Sequence, residues 1–163
     1  MSSIIEDLIA RKIFNNRGEE TIEVDVITAS GFGRAAAPAG KSRGKAEVVY
    51  YPQGGVEQAI KKVDDLIAPE LAGSNADFQE EIDNTLHEID GTTDFKNIGG
   101  NTAFAISLAN AEAAANSHSL LLFQFIGGNA ANTMPFPLGN CISGGQHVRG
   151  KAPDIQEYLV LPY

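Results

Sequence analysis

An α+β fold is predicted by three observations. Ile22, Val24 and Val26 alternate with Glu23, Asp25 and Ile27, a period-2 pattern rich in β-branched residues. From Gly55 onward the apolar period changes to 3.6. The two kinds of pattern are segregated along the chain, strands first, then helices, then strands again.

The elements follow in order. Ile4, Ile5, Leu8, Ile9 and Ile13 fit a helical stripe, although Leu8–Phe14 also reads as a strand, and the spacing favours helix. Asn15-Asn16-Arg17-Gly18 is a turn signal, and so is Ser30-Gly31-Phe32-Gly33. Between them Thr21–Thr28 is a strand, and Gly33–Ala37 pairs with it across a short loop. Val56, Ile60, Val63 and Ile67 share one face of a first helix that Pro69 stops. Asn75 caps a second helix with Phe78, Ile82, Leu86 and Ile89 inward, closed by Asp90-Gly91. Asn101–Asn116 is apolar nearly all round and rich in alanine, which predicts a buried helix packed closely on several sides. Leu120–Ile126 is a short fourth helix before Gly127-Gly128, and Glu157–Leu161 reads as a buried strand.

The sequence has 163 residues and a net charge of −9, from 12 Lys+Arg against 21 Asp+Glu. That length accommodates one or two domains. The negative balance disfavours nucleic acid and anionic membrane surfaces, which need clustered basic residues. Cys141 is the sole cysteine, so neither a disulfide framework nor a cysteine-rich zinc site is available within the chain. No signal peptide and no membrane span are expected: Thr102–Ile126 is interrupted by Asn110, Glu112, Asn116 and His118. A reducing cytoplasm is the expected location.

Two local patterns carry chemistry. Ala35-Ala36-Ala37-Pro38-Ala39-Gly40-Lys41-Ser42 fits a relaxed phosphate-loop expression, with Lys41 for terminal phosphates and Ser42 for Mg²⁺. Its context is wrong, because such a loop must open a helix, and Pro38 removes a backbone donor. A plain glycine-rich surface loop is the simpler reading. Ser143-Gly144-Gly145-Gln146-His147, followed by Gln156-Glu157, combines permissive glycines with an acid/base pair. Its simpler reading is a loop with a solvent-exposed histidine. His87 and His118 read as surface residues, and Asp64-Asp65 and Glu80-Glu81 as solvated helix faces.

Taken in order, these segments resemble one family. Ala10-Arg11-Lys12-Ile13-Phe14-Asn15-Asn16-Arg17-Gly18, followed by Thr21–Val26, resembles the opening of enolase (phosphopyruvate hydratase). Gly33–Gly44 resembles its first mobile active-site loop. Asp90-Gly91-Thr92, Gly100-Asn101 and Ser107-Leu108-Ala109 resemble its helical region. Pro137–His147 and Gln156–Pro162 resemble its second loop and the entry into its barrel. Tyr51-Pro52-Gln53-Gly54-Gly55 is similar to archaeal-type members.

The resemblance implies a three-stranded antiparallel meander followed by a helical bundle over residues 1–131. Over residues 132–163 it implies the truncated start of a (β/α)₈ barrel. It makes Leu8–Phe14 a strand, against the helical stripe. It implies reversible dehydration of 2-phosphoglycerate to phosphoenolpyruvate with Mg²⁺, in glycolysis and gluconeogenesis. Ser42 matches the loop serine that ligates the second Mg²⁺, and Gly40 and Gly44 sit in the same lid. His147 matches the second-loop histidine that closes over the substrate phosphate, beside Gly144 and Gly145. Glu157 matches the carboxylate that assists departure of the substrate hydroxyl, and Gln156 its hydrogen-bonding neighbour.

The sequence departs from the family pattern in several places. Asn15-Asn16 replaces the usual Asp-Ser, Gln146 stands where serine is common, and Lys41 and Arg43 add positive charge to the first loop. The three carboxylate ligands of the first Mg²⁺, the base lysine and the second phosphate-side cluster have no counterpart in this sequence. The expectation is therefore a piece of an enolase, inactive alone. Self-association is also expected, since such domains take part in homodimer contacts. Barrel strands without neighbours are adhesive edges, so the tail is expected to be disordered, fold back or pair with another chain. A free-standing oligomerisation or regulatory module is the alternative, and a phosphate-loop nucleotide binder the remote one.

Overall fold

The computed structural model describes residues 2–40, 44–145, 148 and 150–162. It forms two compact units, Met1–Gly128 and Asn129–Tyr163. The first opens on three antiparallel strands in the order β1 (Ile5–Phe14), β2 (Glu20–Thr28) and β3 (Phe32–Ala36). The β1–β2 turn falls on the Asn-Asn-Arg-Gly signal. Asn15 Oδ1 accepts hydrogen bonds from the Arg17 and Glu19 amides, and Gly18 takes a φ of 73°.

β1 corrects the helical stripe. The β1–β2 register shifts between Ile5 and Asp7, a bulge that inserts one extra residue. Ile5 and Leu8 therefore both face the core, three positions apart, and imitate helical spacing inside a strand. On β2, Ile22, Val24 and Val26 are fully buried under the helices. The opposite face carries Glu23 and Asp25. Asp25 is almost completely buried, and two arginines hold its carboxylate: Arg34, its register partner on β3, and Arg11, which reaches it diagonally from β1. Arg34 donates to it through Nε (2.6 Å) and Nη2 (2.9 Å), and Arg11 through Nη1 (3.1 Å) and Nη2. Arg11 also donates to Glu23 (2.6 Å). The Arg34 hydrogen bonds hold the Asp25 carboxyl well below the usual carboxylate range; burial opposes them and Arg11 reinforces them.

The helices are α1 (Gly55–Lys62), α2 (Ala68–Leu71), α3 (Gln79–Asp90), α4 (Gly100–Ser117) and α5 (Leu122–Gly127). Pro69 does not stop the first helix. A π-helical turn, Val63–Ile67, joins α1 to α2, and Pro69 lies in the first turn of α2, where a missing N–H goes unused. Nor does Asn75 cap α3. Phe78 stands at that position, while Asn75 closes a preceding turn by accepting from the Asp77 and Phe78 amides. At the other end Gly91 takes the expected left-handed conformation, φ 66°, and its N–H donates to His87 O.

α4 is buried nearly all round, as its composition predicts, and lies against β2 and β3. β3 is an edge strand, and α4 covers that edge: Glu112 accepts from the Arg34 amide (2.8 Å), and Asn116 Nδ2 donates to Phe32 O (2.6 Å). Gly31 and Gly33 let the helix backbone approach.

The second unit contains β4 (Gly139–Ser143) and β5 (Glu157–Val160), paired antiparallel. Two expectations are corrected here. The strands expected to lack neighbours pair with each other, which leaves one open edge on each. The terminal strand is not buried: all four of its residues are exposed, because no layer covers this two-stranded sheet within the unit.

Candidate functional site

The first candidate loop leaves β3 through Ala37 and returns at Gly44. Its outgoing stem is pinned from the β1–β2 turn. Arg17 donates to Ala39 O (Nη2, 2.6 Å) and to Gly40 O (Nη1, 3.4 Å). Behind it, Thr21 Oγ1 donates to Ala37 O (2.7 Å) and lies 3.0 Å from Tyr51 Oη. The returning stem is pinned by Glu47, whose Oε1 accepts from the Gly44 amide (2.6 Å) and whose Oε2 accepts from Tyr50 Oη. A cationic clasp therefore holds one stem and an anionic one the other. Arg17, Glu20, Thr21, Gly40, Tyr50 and Asn101 line a cavity of about 370 Å³ at their base. Lys41, Ser42 and Arg43 lie outside the described residues. The first helix after this loop begins only at Gly55, so no helix N-terminus serves the phosphate-loop reading.

The second unit brings two separated candidate pairs together. Ser143 is the register partner of Glu157. The Gly144 amide donates to Gln156 O (2.7 Å) and the Gly145 amide to Pro153 O (2.8 Å). A Cβ on Gly144 would stand 2.2 Å from Ile155 O, and Gly145 has a φ of 56°. Both glycines are thus required by the backbone that presents Gln156 and Glu157. Gln146 and His147 lie outside the described residues.

Mg²⁺ takes oxygen ligands in near-octahedral geometry. Among the described residues no group of three or more His, Cys, Asp or Glu side chains is placed to hold a metal ion. The described residues do not make a Mg²⁺ site by themselves.

A family model described as the N-terminal domain of enolase matches residues 5–126. The chain belongs to the enolase N-terminal domain family. The enolase of Methanosphaera stadtmanae is 56% identical over 99% of this chain and 39% of its own length. That of Methanothermobacter thermautotrophicus is 54% identical over the same shares. That of Pyrococcus furiosus is 45% identical over 97% of this chain and 38% of its own length. The chain thus spans about two fifths of the length of the curated relatives it matches, and the archaeal likeness of its motifs holds.

For an enolase N-terminal domain, the residues that motif reading missed are Arg17, Glu47 and Tyr50. Arg17 was visible as part of a turn, but its reach to Ala39 and Gly40 depends on tertiary placement. No helix among the described residues is long and apolar enough to cross a membrane.

Proposed function

We propose that this chain supplies the N-terminal part of an enolase, which dehydrates 2-phosphoglycerate to phosphoenolpyruvate in the cytoplasm, within glycolysis and gluconeogenesis. The observation that carries the reading is the near-full-length identity to enolases combined with coverage of only two fifths of them. Mg²⁺ supplies charge stabilisation for the enediolate in this family, and Ser42 is the residue of this chain proposed to contact it. The remaining ligands belong to the part of the relatives that this chain does not span.

The roles proposed for the chain's own residues follow from the enolase motifs they match. Glu157 assists departure of the substrate hydroxyl as a general acid, and Gln156 orients it. Gly144 and Gly145 permit the tight backbone that presents both, and His147 closes over the phosphate. Gly40, Lys41, Ser42, Arg43 and Gly44 form the loop that excludes water once substrate is bound. Lys41 and Arg43 add attraction for an anionic substrate.

The test is phosphoenolpyruvate formation by the chain alone and mixed with the remaining three fifths of the Methanosphaera stadtmanae enolase. We expect no turnover alone and turnover on mixing. Glu157→Gln should then lower kcat by about 100-fold or more. Full turnover by the chain alone would refute the reading.

Self-association belongs to the same proposal. The sheet face turned away from the helices exposes Ile9 and Phe32, at 41% and 43%, around the Arg11–Asp25–Arg34 cluster. Sedimentation velocity should show a dimer that Ile9→Glu dissociates without unfolding. A wild-type chain that stays monomeric at high concentration contradicts this part.

A further inference from the structure

A second polar cleft lies in the first unit, between α1 and the loop that joins α3 to α4. Its volume is about 520 Å³, and its walls carry Tyr51, Gln53, Gln58, Lys62, Lys96 and Asn97. No carboxylate is among the lining residues. The chain carries a net charge of −9, so two lysines facing one cleft without an acid are unusual. The ion pairs among the described residues involve Arg11, Lys12, Arg17, Arg34 and His118, and neither Lys62 nor Lys96 takes part in them.

Both walls are fixed by the core. Lys62 ends α1, which is seated by buried Val56 and Ala59, and the next residue, Val63, is fully buried. The Lys96 loop is tied down by Asp90, whose Oδ1 accepts from the Asn97 (2.9 Å) and Ile98 (2.8 Å) amides. Asn97 Nδ2 donates to Asp90 O (2.7 Å), which orients that amide. Gly99 presses the loop onto the third wall: its φ is 90°, and a Cβ there would lie 2.7 Å from Tyr50 O and 2.8 Å from Tyr51 Cα. The backbone around the cleft is therefore set before any ligand arrives, which lowers the ordering cost of binding.

We propose that this cleft binds a small phosphorylated molecule. Lys62 and Lys96 flank its phosphate, and the Gln53 and Gln58 amides supply neutral donors. Two ammonium groups balance a phosphate dianion, and charge-assisted hydrogen bonds to phosphate are the strong ones. The volume exceeds that of a lone phosphate, so an ester fits better than the bare ion. This site is independent of the enolase reading, because it uses none of the residues assigned to turnover.

The test uses the whole chain, titrated with inorganic phosphate and with pyrophosphate at constant ionic strength and followed by amide NMR. Saturable shifts should be confined to residues 49–53, 58–62 and 94–99. Lys62→Ala and Lys96→Ala should each weaken binding about tenfold. Lys61→Ala, which removes the same charge outside the cleft, should change it less than about twofold. The proposal is overturned if neither probe gives saturable shifts in the millimolar range, if the shifts lie elsewhere, or if Lys61→Ala weakens binding as much as the cleft variants.

Discussion

Gly33→Ala will lower the folding stability of this chain by about 3 kcal/mol or more. Gly33 lies on β3 opposite Val26, on the face that packs against α4. A Cβ built there stands 2.0 Å from Ala109 O, 2.4 Å from Ala113 N and 3.0 Å from Ala109 C. All three are helix backbone atoms, so no side chain can rotate away to relieve the overlap. The helix itself must retreat, and its small-residue contact with the sheet opens at Ala105, Ala109 and Ala113, which are fully buried. Gly31 meets the same helix one turn later, with Ala113 O at 2.3 Å. Urea denaturation reads the effect as a lower midpoint with an unchanged slope. A loss under about 1 kcal/mol would show that α4 shifts freely against β3.

Asp90→Ala will cost about 3 to 4 kcal/mol. The carboxylate is buried at 1% exposure. It accepts from the Thr92 amide (3.1 Å), the Thr92 hydroxyl, and the Asn97 and Ile98 amides. Alanine leaves those donors without an acceptor, two of them in the segment that leads into α4. Asp90→Asn keeps the shape but trades one oxygen for a donor, so it should recover only part of the loss. A variant as stable as wild type would mean that the loop re-forms its hydrogen bonds elsewhere.

The same carboxylate gives a pH dependence. Burial pushes the Asp90 carboxyl up, but the hydrogen bonds from Thr92, Ile98 and Asn97 outweigh it, and it sits below the ordinary carboxylate range. Asp25 is lowered too, by Arg34 first. A carboxyl depressed in the folded state binds fewer protons there than in the unfolded chain. Its stabilisation is complete above the unfolded value of about 3.9 and is lost as pH falls through the lower folded value. Denaturation midpoints should therefore hold from neutral pH to about 5 and fall steeply below 4, less steeply in Asp90→Asn.

Much of the fold was legible because it rests on local rules. The 21–28 alternation, the Asn-Asn-Arg-Gly turn and the left-handed Gly91 are each fixed by backbone geometry within a few residues. The alanine-rich Asn101–Asn116 stretch announced a helix buried on several sides, because only small side chains let a helix be approached from every direction. The misreadings share one cause. Ile5 and Leu8 imitate a helix because a bulge puts both on one side of a strand, and a bulge is set by the partner strand. Pro69 reads as a stop, yet a π turn before it moves the proline into a fresh first turn. Asn75 has the chemistry of a cap and uses it on the preceding turn.

Sequence alone determined the family membership, through ordered motifs that no single element supplied, and with it the α+β class and the candidates Glu157, Gln156, Gly144 and Gly145. Tertiary structure alone decided that Gly144 and Gly145 fold against Gln156. It also decided that Arg17 and Glu47 clasp the stems of the first loop, that Gly33 lies directly against the α4 backbone, and that Lys62 and Lys96 share a cleft without an acid. The reason is distance along the chain. Local periodicity records what a residue needs from its immediate neighbours, whereas these contacts join segments whose proximity only the packed core creates.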